Sequence, residues 1–357
     1  MTTTYDAIVV GLGAMGSAAT YQLARAGASV LGIDRFHPPH DHGSSHGESR
    51  ITRLAIGEGA HYVPLVKRSH ELWREIEAET GETIFTPTGM LLIGARRAAR
   101  LHGADDFLAT TIAAAREHGV EHEVLDAGEA QRRFPQFALT GDERGAYYEP
   151  GAGFLRPERA VAAQLELARR HGAELRFGER ATEVTANAVV TEAGRYEADA
   201  VVLAAGPWVG EFVDTGFAVH RQVLYWFEAD GRHAGAPIFI WELGDAPDDF
   251  VYGFPAIDGT IKLASEEYAT TTTPDACDRT VTEEEARRFH ARYVRHRISG
   301  VGDTCVRATT CLYTVTPDRG FVIERRDGVH LVSACSGHGF KHSAAIGEQV
   351  ARSVTES

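Results

Sequence analysis

An apolar run, Tyr5-Asp6-Ala7-Ile8-Val9-Val10, begins almost at the N-terminus and ends in a glycine turn, Gly11-Leu12-Gly13-Ala14-Met15-Gly16. Residues 5–34 then read as strand, turn, helix and strand, the opening of a doubly wound α/β fold. Over residues 64–79, Leu65, Leu72, Trp73 and Ile76 fall on one stripe among charges, which predicts an amphipathic helix. A second helix is predicted over 156–170, with Pro157 in its first turn and Gly172 just past its end. Residues 188–191 and 200–206 read as strands; the latter is apolar throughout, as expected of a buried strand in a parallel sheet. From about His220 to Ser265 the pattern changes to short β-rich runs, 222–228, 237–243, 250–254 and 260–264, which predict an antiparallel meander. The tail returns to α/β style, with strands at 320–323 and 329–334 and a helix from about Ser343.

This order predicts an α/β chain (two-domain, α+β in its second part). A Rossmann-like nucleotide-binding domain over 1–85, 145–217 and 305–357 would be interrupted by an antiparallel-sheet substrate domain over 86–144 and 218–304. A length of 357 residues fits two domains on one body. The net charge of −14 argues against a nucleic-acid partner, which requires a basic face. No apolar stretch approaches the length of a membrane span, and the N-terminus lacks the basic start and cleavage site of a secretory signal. The four cysteines (Cys277, Cys305, Cys311, Cys335) show no CxxC pair and no zinc-ligand spacing, so no metal site is expected. Reduced thiols in a cytoplasmic setting are the expectation.

In the first turn, Gly11 permits the tight bend, Gly13 lets backbone N–H groups approach a pyrophosphate, and Gly16 allows close helix–strand packing. The helix beginning at Ala14 and Met15 supplies dipole density for the phosphates. Asp34 stands where a carboxylate takes ribose hydroxyls. Arg35 raises the alternative of a 2′-phosphate, hence NADP, and the loop alone does not separate FAD from NAD.

The rest of the chain does. Gly43-Ser44-Ser45-His46-Gly47-Glu48-Ser49-Arg50, Ala204-Ala205-Gly206-Pro207-Trp208, Tyr252-Gly253-Phe254-Pro255, Thr310-Cys311-Leu312-Tyr313-Thr314-Val315-Thr316-Pro317-Asp318 and Ser336-Gly337-His338-Gly339-Phe340-Lys341 occur in order. In this order and spacing they resemble the monomeric sarcosine oxidase and N-methyltryptophan oxidase family of flavoproteins. The resemblance implies FAD held by a thioether from Cys311 to the flavin 8α-methyl group. It implies that Ser44, Ser45, His46, Ser49, Arg50, Val184, Gly206, Trp208, Gly337, His338, Gly339, Phe340 and Lys341 join the glycine loop, Asp34 and Arg35 around the cofactor. Lys262 would promote the reaction with oxygen, a fixed cation stabilising developing superoxide. His46, Arg50, Tyr252 and Tyr313 would line the reacting centre, and Arg53 with Lys341 would grip the substrate carboxylate. A helical reading of the segment would put Arg50 and Arg53 on one face.

One departure stands out. The family carries a histidine four residues after the lysine, where this chain has Glu266. A carboxylate there would repel an acidic substrate or recruit one with an extra amine. The resulting expectation is a secondary-amine oxidase that reduces O2 to hydrogen peroxide and works as a monomer on a small molecule. A cyclic imino acid or an intermediate of a biosynthetic pathway stands close behind an N-methyl amino acid as substrate. The rivals are an NAD(P)-dependent dehydrogenase and a flavin protein without turnover.

Overall fold

The computed structural model describes residues 4–141, 143–244 and 246–356. β1 (Thr4–Val10), α1 (Ala14–Arg25) and β2 (Val30–Asp34) form the expected opening unit. β1 pairs in parallel with β2 on one side and with Arg195–Leu203 on the other. Val329–Ser333 extends the parallel run beyond Arg195–Leu203, and Glu174–Phe177 extends it beyond β2. Every residue of β2 is buried, as befits a strand covered on both faces.

The turn from β1 into α1 depends on two glycines. Gly11 has φ +87°, which favours glycine, and a Cβ on Gly16 would lie 1.7 Å from the Gly11 carbonyl oxygen. The C-terminal helix Ser343–Thr355 docks on α1 so closely that a Cβ on Gly347 would lie 2.5 Å from Ala18. Pro157–Arg170 covers the same helix, with Gln164 Nε2 donating to Ser17 Oγ at 3.2 Å. The first and last segments therefore share one core around α1.

A second sheet runs Val301–Val315, Ala218–Ala229, Thr260–Ala264, Phe250–Gly253, Ile238–Glu242, Met90–Gly94, Gly145–Glu149 and Glu123–Leu125. It is antiparallel except between Ile238–Glu242 and Met90–Gly94. Three of the four runs expected as a meander pair in succession. The first, Ala218–Ala229, instead joins Thr260–Ala264 and is covered on its other edge by Val301–Val315. Residues 145–149 and 305–315, expected to run with the nucleotide-binding part, are strands of this sheet. Pairing partners far away in sequence decide that, and local pattern does not carry them.

A small third sheet joins Arg50–Thr52, Gly153–Leu155 and Phe85–Pro87. Arg50 and Arg53 therefore do not share a helix face: Arg50 opens a strand and Arg53 follows its end. Among the described residues no helix is long and apolar enough to cross a membrane.

Candidate active site

A cleft of about 1300 Å³, open mouth included, runs along the C-terminal ends of the parallel strands. The glycine loop, Asp34, Arg35, Ser44, Ser45, Gly206 and Trp208 line it, and Gly337, Gly339 and Phe340 close its inner end. Asp34 is buried and accepts from Leu12 N (2.7 Å) and Phe36 N (2.8 Å), which fixes its carboxylate at the strand end. The N-cap of α1, Gly13, has no side chain and leaves the helix terminus open toward the cleft apart from Ser45 Oγ. That oxygen accepts from Ala14 N and would lie 3.4 Å from a Cβ on Gly13. That open helix terminus fits the pyrophosphate of a dinucleotide. Arg35 is paired with Asp275 (3.2 Å) and Glu211 (3.8 Å), so its charge is already matched and an NADP phosphate gains no free arginine there. Val184 lies outside the cleft, packed among apolar residues beside its sheet. The neighbouring Glu179, Arg180 and Ala181 line the cleft instead.

The 43–50 loop crosses the cleft and is tied down at both ends. Ser44 Oγ donates to the Leu312 carbonyl, and Ser45 Oγ accepts from Ala14 N at 3.1 Å. Glu158 accepts from Gly47 N (2.6 Å) and Glu48 N (3.0 Å), a role that sequence pattern leaves invisible. Arg50 then donates to Ser49 O (2.9 Å), Ser44 O (2.8 Å) and Cys311 Sγ (3.4 Å). Cys311 is fully buried on Val301–Val315, with the Arg50 guanidinium in contact with its sulfur. Its neighbours Arg50 and Tyr313 line the cleft, as does the half-buried Cys335, whereas Cys311 itself sits behind that lining.

Lys262 points away from Ile261 and Leu263, as alternation requires, but it is buried. Its three donors meet Gly47 O (2.6 Å), Ser49 O (2.7 Å) and Ser49 Oγ (3.2 Å), and it lies 4.5 Å from the Phe254 ring centre. Burial, reinforced by Arg50, pushes its pKa below the ordinary lysine range, while this acceptor set is the one an ammonium satisfies. His46 is held neutral, its pKa lowered to about 4 by burial and then by Arg50.

A second cavity of about 560 Å³ adjoins the cleft and shares Arg50, Tyr313, Gly337 and Phe340 with it. Tyr252, hydrogen-bonded to Tyr313, stands in its wall with Phe250 and Phe254. Arg53 and Lys341 meet in it, bridged by Glu58: Arg53 Nη2 lies 2.6 Å from Glu58 Oε2 and Lys341 Nζ lies 3.2 Å from Glu58 Oε1. Burial opposes charge on Glu58, but the two cations outweigh it and hold its carboxyl well below the usual range. Burial lowers Lys341 to about 8 against the pull of Glu58. Glu149 accepts from Leu54 N (2.6 Å) and Ala55 N (3.2 Å), fixing the backbone that follows Arg53. Sequence reasoning missed Glu58 and Glu149; the only local signal for Glu58 is an acid between Gly57 and Gly59. His338 stacks on Phe321 (4.6 Å) and its Nε2 meets the Arg319 carbonyl, a wall of the cavity held in place.

The fold has known counterparts. NikD in its open form, an unusual amino acid oxidase essential for nikkomycin biosynthesis, superposes with a TM-score of 0.86 at 25% identity, covering 99% of this chain and 95% of that one. Monomeric sarcosine oxidase of Streptomyces avermitilis is 41% identical over 370 residues, 98% of this chain and 94% of that protein. N-methyl-L-tryptophan oxidase of Yersinia pestis is 36% identical over 360 residues, 97% and 94% of the two. Residues 6–353 match the DAO family of FAD dependent oxidoreductases. With the dinucleotide cleft, this makes FAD the cofactor and sets aside the NAD(P) alternative. The chain belongs to the DAO family of FAD dependent oxidoreductases, among the sarcosine and N-methyltryptophan oxidases.

Proposed function

We propose that this enzyme oxidises secondary amines that carry a carboxylate, with FAD joined to Cys311 by a thioether. The observation that carries the reading is the cavity holding Arg53 and Lys341, which opens onto the cofactor cleft at Arg50, Tyr313, Gly337 and Phe340. FAD, when bound, supplies the two-electron acceptor. The chain does the rest. The Arg53 fork takes the substrate carboxylate with Lys341 as a second charge, both turning from Glu58. Tyr252, Tyr313, Phe250 and Phe254 wall the amine off from water. Lys262 places a cation where oxygen acquires charge. An N-methyl substrate, O2 and water give the demethylated amine, formaldehyde and hydrogen peroxide; a cyclic imino acid gives its imine and hydrogen peroxide.

The two large sheets support a nucleotide-binding part and a substrate-binding part. Four unpaired cysteines fit a reducing, cytoplasmic setting. The name of the sarcosine oxidase relative supports a monomer.

A peroxide assay across N-methylglycine, N-methyl-L-tryptophan, L-proline and L-pipecolate tests the substrate class, with dimethylamine and pyrrolidine as counterparts lacking the carboxylate. At least one carboxylated amine is expected to turn over well above its counterpart. Equal rates with and without the carboxylate would overturn the reading.

The tether has its own test. After acid precipitation the yellow colour is expected to stay with the polypeptide in the native protein and in Cys335→Ala, and to remain in the supernatant for Cys311→Ala. Colour retained by Cys311→Ala and lost from Cys335→Ala would assign the bond to the thiol that lines the cleft.

A further inference from the structure

Glu266 has an unusual setting. Its side chain is 4% exposed, and it lines the substrate cavity. Oε2 accepts from the Tyr268 hydroxyl. Oε1 is 3.7 Å from His102 Nε2, beyond hydrogen-bond distance, and among the described residues only Tyr268 donates a hydrogen bond to this carboxyl. A Cβ on Gly337 would lie 3.2 Å from Oε1, so the free oxygen stands against the backbone where cavity and cleft meet.

We infer that Glu266 is the proton acceptor for the ammonium group of the substrate, an inference that rests on the amine-oxidase reading above. Amino acids arrive as zwitterions, and an ammonium nitrogen has no lone pair with which to form an imine. At Glu266 one N–H bond breaks, its electron pair stays on nitrogen, and the proton forms an O–H bond at Oε1. No oxidant or further reactant is needed for this step.

The charges of the cavity support it. Arg53, Lys341 and Glu58 together leave one positive charge, which matches one carboxylate. Among the described residues no lysine or arginine pairs with Glu266: Arg319, whose charge reaches it, is engaged with Asp248 at 2.9 Å and packs over the Tyr268 ring. His102 and His338 on facing segments are held neutral, mainly by burial. Tyr252 and Tyr313 across the cavity are likewise held protonated by burial. Burial first, with the charges of Asp248 and Glu58 adding, raises Glu266 to about 8 against Tyr268 and Arg319. The empty cavity thus keeps a neutral acid until a cation enters. The incoming zwitterion fills both needs, its carboxylate at the clamp and its ammonium at Oε1. Glu266 then gives up its own proton to solvent and becomes the base.

The test counts protons on binding to the FAD-loaded enzyme. Isothermal titration calorimetry in buffers of different ionisation enthalpy, at pH 7 and pH 9, compares two ligands. 2-Aminoisobutyrate has an ammonium group but neither an α-hydrogen nor an N-alkyl group, so it is not oxidised. Methoxyacetate has the carboxylate and no ionisable nitrogen, and subtracting it removes protons exchanged at the Arg53–Lys341 clamp. The difference is expected to be about one proton released at pH 7, below the Glu266 pKa of about 8, and close to none at pH 9. Glu266→Gln should give the same difference at both pH values, and Glu266→Asp should restore the dependence. Methoxyacetate binding verifies that each variant keeps its clamp. A native enzyme without the pH dependence, or a Gln variant that retains it, overturns the inference even if N-methyl amino acids are oxidised. If neither ligand binds and no carboxylated amine reduces the flavin, the amine-oxidase reading itself falls.

Discussion

Replacing Arg53 with Met is expected to raise KM for a carboxylated amine on the order of 100-fold or more, the effect of truncating one partner of a buried charge pair. The side chain is buried and shares Glu58 with Lys341. Its loss removes the two-pronged partner of the substrate carboxylate and leaves Glu58 to claim Lys341 alone. The second consequence competes with substrate, so the loss exceeds that of one hydrogen bond. Arg53→Lys should recover little, because a point charge does not reproduce the fork. Turnover of pyrrolidine, which has no carboxylate to bind, should change little in Arg53→Met. Steady-state kinetics on the two substrates measure the contrast. A KM within about threefold of native for the carboxylated substrate would remove Arg53 from the clamp.

Lys262→Met is expected to slow reoxidation by oxygen by about 10²–10³-fold, the usual effect of removing one group that stabilises charge in a transition state. Flavin reduction by substrate should change by no more than a few-fold. Methionine preserves most of the buried stem, while Gly47 O keeps Ser49 N and Ser49 O keeps Arg50 as donor once the ammonium is gone. Stopped-flow measurement of each half-reaction separates the two effects, and equal slowing of both would refute the assignment. The pH dependence has a definite sign. The cationic form is lost as pH rises through the folded-state pKa, which burial places below the ordinary lysine range. Native reoxidation should therefore decline with rising pH before that range is reached, while Lys262→Met stays flat.

How much of this was legible depends on how local each cause is. The glycine turn between β1 and α1 reads directly from sequence because Gly11 and Gly16 meet each other five residues apart. Alternation puts Lys262 on the face opposite Ile261 and Leu263, where an isolated lysine is usually exposed; its burial is not legible locally, since its acceptors come from a loop more than 200 residues earlier. The shared face of Arg50 and Arg53 held only for a helix, and pairing with Gly153–Leu155 makes a strand of the segment instead. Glu58 carried no periodic signal, because its role arises only when Arg53 and Lys341 converge on it across 283 residues of chain. Glu266 was visible as a departure from a pattern. Its free oxygen, with Tyr268 on one side and His102 out of reach on the other, required the fold.

The central claim is that this one joined cavity brings a carboxylated secondary amine to FAD. An anaerobic titration of the purified yellow enzyme with N-methylglycine, L-proline and L-pipecolate, followed by air, tests it most directly. The account predicts that at least one of them bleaches the flavin in equal stoichiometry and that air restores the colour with one hydrogen peroxide per flavin. A spectrum that all three leave oxidised would contradict it.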